Sequence, residues 1–186
     1  QFKRYLVVAG IFALANSSDM FLLLRAREAG VPQEQIPLLW AAISLITTLF
    51  GTPLSALSDT FGRRRFILIA WVAFAFFYFA MGLQGISIYQ IFALFGVYGL
   101  FKAATEGVEK ALVADMAPKG LAGTAFGWFN LISGLMLLPA SLIFGWLYES
   151  FNPSYAFLFS GSCAGLAFLL LAFWVFPSQQ GHRVNI

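Results

Sequence analysis

Six runs of about twenty mostly apolar residues follow one another along this chain, and that repetition constrains its fold more than any other feature. They extend roughly from Tyr5 to Leu24, Pro37 to Leu57, Phe66 to Leu83, Ile88 to Val113, Gly123 to Leu147 and Tyr155 to Phe176. A helix rising 1.5 Å per residue needs about 20 such residues to cross the hydrocarbon core of a bilayer. Backbone polar groups in lipid must be satisfied internally, which leaves helices and closed barrels. The runs are far longer than the ~10-residue strands of a barrel and show little alternation. Turn-forming clusters divide them: Gly30-Val31-Pro32, Asp59-Thr60-Phe61-Gly62, Gln84-Gly85, Pro118-Lys119-Gly120 and Asn152-Pro153. An all-α integral membrane bundle of six spans is the expected fold.

Composition closes the other routes. Only 10% of the 186 residues are charged, 60% are hydrophobic, and the mean hydropathy is +0.82. A soluble domain carries about 25% charged residues, so a soluble enzyme, a disordered chain and a nucleic-acid module are all excluded. The net charge of +3 reads as membrane orientation rather than phosphate binding. Lys3, Arg4, Arg63, Arg64, Arg65, Lys119 and Arg183 fall on one side, against Arg25 and Arg27 on the other. The excess of basic residues places both termini in the cytoplasm. Lys102 and Lys110 belong to neither side, because they lie within the fourth span. A single cysteine, Cys163, rules out an internal disulfide framework.

The spans divide into two triplets of matching character, about residues 1–83 and 88–176, within a single membrane domain of residues 1–180. Residues 181–186 form a polar cytoplasmic tail. The first helix of each triplet holds ionisable residues: Asp19 in span one, and Lys102, Glu106, Glu109 and Lys110 in span four. The second helices carry small and polar residues with a late proline, Pro53 and Pro139, and the third helices carry no charge inside the apolar run. Consecutive triplets of an odd number of spans have opposite topology, the pattern of an inverted repeat.

The loop between spans two and three narrows the reading. It runs Ser55-Ala56-Leu57-Ser58-Asp59-Thr60-Phe61-Gly62-Arg63-Arg64-Arg65. This resembles the major facilitator superfamily signature G-x-x-x-D-[RK]-x-G-x-[RK]-[RK], with Asp59, Gly62, Arg64 and Arg65 matching, and Ser55 and Thr60 departing from it. The stretch from Glu106 to Tyr148 looks like helices ten and eleven of bacterial members, and Asn16-Ser17-Ser18-Asp19 like their seventh. Ala122 stands where relatives carry an arginine. The resemblance covers the whole chain and implies the C-terminal six of twelve helices, in the inner membrane of a bacterium. It implies half of a secondary transporter that moves a small solute by alternating access, coupled to protons and needing an N-terminal half or a second copy. Spans one, two, four and five are expected to face that partner, and spans three and six to face lipid.

The intramembrane polar residues carry the chemistry. On a helical wheel at about 100° per residue, Lys102, Glu106, Glu109 and Lys110 share an arc of about 100°. Lys102 lies roughly 16 Å from Val113, near the midplane, where an unpaired charge costs about 3 kcal/mol. Two readings stay open. One is a self-neutralising ladder of i,i+4 pairs, with Glu109 and Lys110 snorkelling toward the cytoplasm. The other is a face on a transport pathway formed by Asn16, Asp19, Lys102, Glu106, Glu109 and Asn130. Asp19 is placed near the outer end of span one, either paired with an external arginine or lining the cavity. Asn130 reads as an interhelical hydrogen bond or a pathway residue. Asp59, Gly62, Arg63, Arg64, Arg65 and Asp115 compose a candidate cytoplasmic gating motif, in which the two aspartates latch onto the arginines. Pro139 is expected to bend span five, and Gly123-x-x-x-Gly127 and Gly161-x-x-x-Gly165 to bring helices close.

Enzyme chemistry finds no support. The one histidine, His182, lies in the tail, so a serine–histidine intramembrane protease lacks its base. No clustered metal ligands and no G-x-x-x-x-G-K-[ST] loop occur, so no cofactor is expected. The loops are too short for a channel's filter. The standing alternative to a transporter half is a non-transporting membrane module that binds or assembles a partner protein.

Overall fold

Among residues 1–176, which a computed structural model of the protein describes, seven α-helices make up the six spans, because the first span is broken. Helix α1 (Phe2–Ala15) and α2 (Met20–Glu28) share span one. A 3-10 turn, Gln33–Gln35, leads into α3 (Ile36–Phe61), followed by α4 (Arg63–Met81), α5 (Ile88–Met116), α6 (Ala122–Ser150) and α7 (Pro153–Leu170). A π-helical turn, Leu171–Val175, extends the last span. All six spans are long and apolar enough to cross a membrane. The expected tail of residues 181–186, with His182 and the orientation charge Arg183, lies outside the described residues.

The break in span one corrects the continuous helix expected from Tyr5 to Leu24. Asn16, Ser17 and Ser18 leave the helix, and short polar side chains explain why, since they offer the backbone alternative hydrogen bonds. The Ser18 amide donates to Ser141 Oγ on α6 at 3.3 Å, and the Met20 amide to Ser18 Oγ at 3.4 Å. Other boundaries follow local signals. Ser87 caps α5 in a reciprocal pair with Gln90, and Asn152 caps α7 with Pro153 in its first turn. The turn between α3 and α4 is tighter than a four-residue cluster. Only Gly62 separates the helices, at φ 90°, a backbone conformation strained for any residue with a Cβ.

Packing follows the division into triplets. Helix α3 lies on α5 as α6 lies on α1; α4 packs on α5 as α7 packs on α1; and α4 and α7 pack on each other. Exchanging one triplet for the other maps this pattern onto itself. The core between α1, α4, α5 and α7 is aromatic: Phe12 stacks on Trp71 at 4.1 Å between ring centroids, beside the buried Phe74, Tyr78 and Tyr98. Much of the chain's aromatic content is therefore internal packing.

The charge-free spans three and six are not the most exposed. In their most apolar windows, 44% of α4 and 39% of the last span are buried, against 11% for the α3 span and 17% for α6. Apart from Arg65 and Ser162, the large side chains that α4 and the last span leave exposed are apolar, including Ile69, Phe76 and Phe173.

The expected close helix contacts form at one of the four motif glycines. Gly123, Gly127 and Gly165 face nothing within 4 Å of a notional Cβ; only Gly161 is closely packed, against the Phe79 ring. The close approaches fall elsewhere: Gly99 and Gly107 on α5 meet Ile46 and Ser55 of α3, and Gly10 on α1 meets Ile132 of α6. Helix α6 continues through Pro139 from Ala122 to Ser150.

Candidate functional site

The break in span one places Asp19 deep in the bundle rather than near its outer end. Asp19 precedes the first turn of α2 but does not cap it. Its carboxylate instead accepts from Lys102 Nζ at 2.9 Å and from Tyr98 Oη at 2.5 Å. Lys102 is the central residue of the 29-residue helix α5. Its ammonium also lies 5.5 Å from the ring centroid of Trp40 and 5.7 Å from that of Tyr98, a cation–π environment. Pairing across helices, plus two aromatic faces, offsets the cost of holding this charge at mid-depth.

The i,i+4 ladder therefore does not form. Lys102 pairs with Asp19 and not with Glu106, and Glu106 has no ion pair or hydrogen bond among the described residues. Nor does Asp19 pair with an external arginine. Arg25 donates instead to the carbonyls of Met81 and Leu83 at 3.2 and 2.7 Å and lies 3.6 Å from Glu28. Glu28 in turn accepts from Tyr148 Oη at 2.6 Å. The half-helix α2 is thus tied to the C-terminal ends of both α4 and α6.

Three cavities sort the polar residues. The first, about 640 Å³, is lined by Asn16, Ser18, Asp19, Trp40, Lys102 and Ser141. The second, about 340 Å³, is lined by Tyr5, Phe12, Asn16, Trp71, Glu109 and Asn130. They adjoin, sharing Asn16, Gly134 and Leu137. The third, about 510 Å³, lies between α3 and α5 and takes Glu106 and Lys110 with Thr47, Thr48 and Ser55. Five of the six expected pathway residues thus converge on two adjoining cavities, while Glu106 faces a separate one. The wheel places Glu109 about 20° to one side of Lys102 and Glu106 about 40° to the other, enough to send them to different neighbours. Glu109 does not snorkel: Trp71 Nε1 donates to it at 3.3 Å. Asn130 lines its cavity without a side-chain hydrogen bond among the described residues, so it is no packing amide within this unit. Tyr98, Trp40, Trp71, Tyr5 and Ser141 escaped sequence reasoning. Only Tyr98 carried a local signal, lying one helical turn before Lys102.

A second cluster gathers where α3 meets α4. Arg63 bridges both aspartates, at 2.8 Å from Asp59 and 2.7 Å from Asp115, and also donates to the Ala111 carbonyl at 3.2 Å. This ties the α3–α4 turn to the end of α5. Arg64 turns away to the Phe176 carbonyl and ring, and Arg65 is exposed. Of the three arginines, only Arg63 joins the expected latch.

Sequence comparison reaches the same region of fold space. The sequence model of the family described as the Major Facilitator Superfamily matches residues 5–185. An uncharacterized MFS-type transporter of Methanocaldococcus jannaschii is 33% identical over 179 residues, which covers 93% of this chain and 44% of that protein. The chain spans less than half the length of this relative.

Proposed function

Since the chain belongs to the major facilitator superfamily, we propose that it supplies one six-helix half of a secondary transporter that moves a small solute by alternating access. The observation that carries this reading is the Asp19–Lys102 pair at 2.9 Å, held at the break in span one and opening on a cavity of about 640 Å³. A paired charge at mid-depth beside non-helical backbone is where a solute-binding site in a membrane bundle is expected. Asn16, Asp19, Lys102, Glu109 and Asn130 form the wall of the path, Glu106 a flanking face of α5, and the protonatable Asp19 and Glu109 couple transport to protons.

The second half is supplied by an N-terminal six-helix unit or another copy, which covers the exposed faces of α3 and α6. The protein sits in the inner membrane of a bacterium with both termini cytoplasmic, and carries out no covalent chemistry. Asp59, Gly62, Asp115 and the arginine cluster, through Arg63, form a cytoplasmic latch that holds one state and releases in the other.

Two-sided accessibility tests the proposal on the complete transporter. A cysteine at Ser141, in a background free of other cysteines, is to be labelled with a membrane-impermeant maleimide in intact cells and in inverted vesicles. Alternating access requires labelling from both sides, and labelling from one side only would return the chain to a static membrane module.

A further inference from the structure

The second cavity has a chemistry that the pairing at Asp19 does not use. Its wall holds one carboxylate, Glu109, with a single hydrogen-bond donor, the Trp71 indole N–H at 3.3 Å. Among the described residues no lysine or arginine forms an ion pair with Glu109. Of the two cations on the same helix, Lys102 is bound to Asp19, while Lys110, one residue further on, lines the cavity facing α3 and acts on Glu109 through its field without an ion pair. Opposite stands Tyr5, fully buried, whose hydroxyl has no hydrogen-bond partner. A buried hydroxyl left unpaired costs about 1–3 kcal/mol, which an acceptor in the cavity would relieve. Phe12, Phe129 and Trp71 add aromatic side chains and Asn16 and Asn130 amides, and small or aliphatic residues complete the lining.

One carboxylate without an ion pair, beside aromatic side chains, selects for a particular kind of ligand. A divalent metal would demand several hard oxygen donors, and no group of three or more His, Cys, Asp or Glu converges among the described residues. A single positive charge spread over carbon–hydrogen bonds meets both features at once, the carboxylate by charge and the ring faces by cation–π attraction. The volume of about 340 Å³ lies at the small end of ligand pockets.

We infer that the cavity formed by Glu109, Tyr5, Trp71, Phe12, Asn16 and Asn130 binds a small organic monocation, a protonated or quaternary amine. This assigns a substrate class and rests on the transport reading above. Its own test is equilibrium binding, which needs no transport.

The experiment is calorimetric titration of the complete transporter in lipid nanodiscs. The probe is benzyltrimethylammonium, whose charge does not depend on pH, with benzoate and sodium chloride as separate arms. Binding of benzyltrimethylammonium, absent for benzoate, is the expected result. Glu109→Gln is expected to weaken it about tenfold or more, and Tyr5→Phe by less. Glu109→Asp keeps the charge and is expected to retain most of the affinity, so a folding defect in the glutamine variant does not decide the matter. No binding of the cation up to 10 mM (on the order of the weakest useful affinities) overturns the inference. So does unchanged affinity in Glu109→Gln, or displacement of the probe by sodium at constant ionic strength. If these results appear while Ser141→Cys is labelled from both sides, the substrate class fails and the transport reading stands. Binding without two-sided labelling leaves the site and removes the transporter.

Discussion

Lys102 Nζ lies 2.9 Å from Asp19 Oδ2, so the centre of α5 is joined to the break between α1 and α2 by one ion pair. The side chains are 34% and 19% exposed, so the pair is partly screened and its energy is below that of a fully buried one. Removing one partner leaves the other charge uncompensated at mid-depth. Lys102→Gln and Asp19→Asn are each expected to destabilise by about 1–3 kcal/mol, and the double variant by less than their sum. Thermal unfolding in nanodiscs, followed by tryptophan fluorescence, measures this cycle. Strict additivity would mean that the two residues act independently.

Arg63 bridges Asp59 and Asp115, yet the aspartates are 57% and 55% exposed. Arg63→Gln is therefore expected to cost less than about 1 kcal/mol of stability, while shifting the balance between conformational states. Asp115→Arg is expected to impair function, and pairing it with Arg63→Asp to restore part of it. Arg64→Asp in the same background is expected to restore none, because Arg64 reaches Phe176 instead. Spin-label distances between the ends of α3 and α5 report the state directly.

The clamp on α2 predicts where the bundle loosens. Arg25→Gln removes donors to the Met81 and Leu83 carbonyls, and Tyr148→Phe removes the donor to Glu28. A nine-residue helix is marginal by itself. Either variant is expected to speed amide exchange across α2 about tenfold, roughly one hydrogen bond's worth, with little change in α4. Hydrogen–deuterium exchange resolved to peptides checks it, and unchanged α2 protection in both variants would show that the clamp holds nothing.

Glycine substitutions separate packed positions from open ones. At Gly99 a Cβ would sit 3.1 Å from Ile46 Cβ and 3.2 and 3.3 Å from its Cγ2 and Cδ1, so Gly99→Ala is expected to cost about 1–3 kcal/mol through overpacking, with Ile46→Ala, which keeps Cβ, relieving only part of it. At Gly127 nothing lies within 4 Å, so Gly127→Ala is expected to be neutral or stabilising by up to about 1 kcal/mol. Both are read as shifts in the unfolding midpoint.

The number of spans and the central place of Lys102 in its helix were legible because hydropathy and helical rise act locally along the chain. The close helix contacts were not, since a Gly-x-x-x-Gly spacing says which residues share a face but not what faces them. Gly107 against Ser55 and Gly123 against empty space are indistinguishable as letters. The Asn16-Ser17-Ser18 break did have a signal, a run of three residues that compete for backbone hydrogen bonds. Reading the span by apolar content alone hid it.

By itself, then, the sequence determined a six-span helical membrane protein, its turns and the residues able to carry charge inside it. A bilayer admits few other solutions for such runs, and the Asp59–Arg65 motif is contiguous. Tertiary structure alone decided the partners: Asp19 with Lys102 rather than Arg25, Arg63 rather than Arg64 with Asp115, and Glu109 apart from Glu106. Those choices depend on which helix lies across from which, and a difference of about 60° on the α5 wheel is enough to change the neighbour.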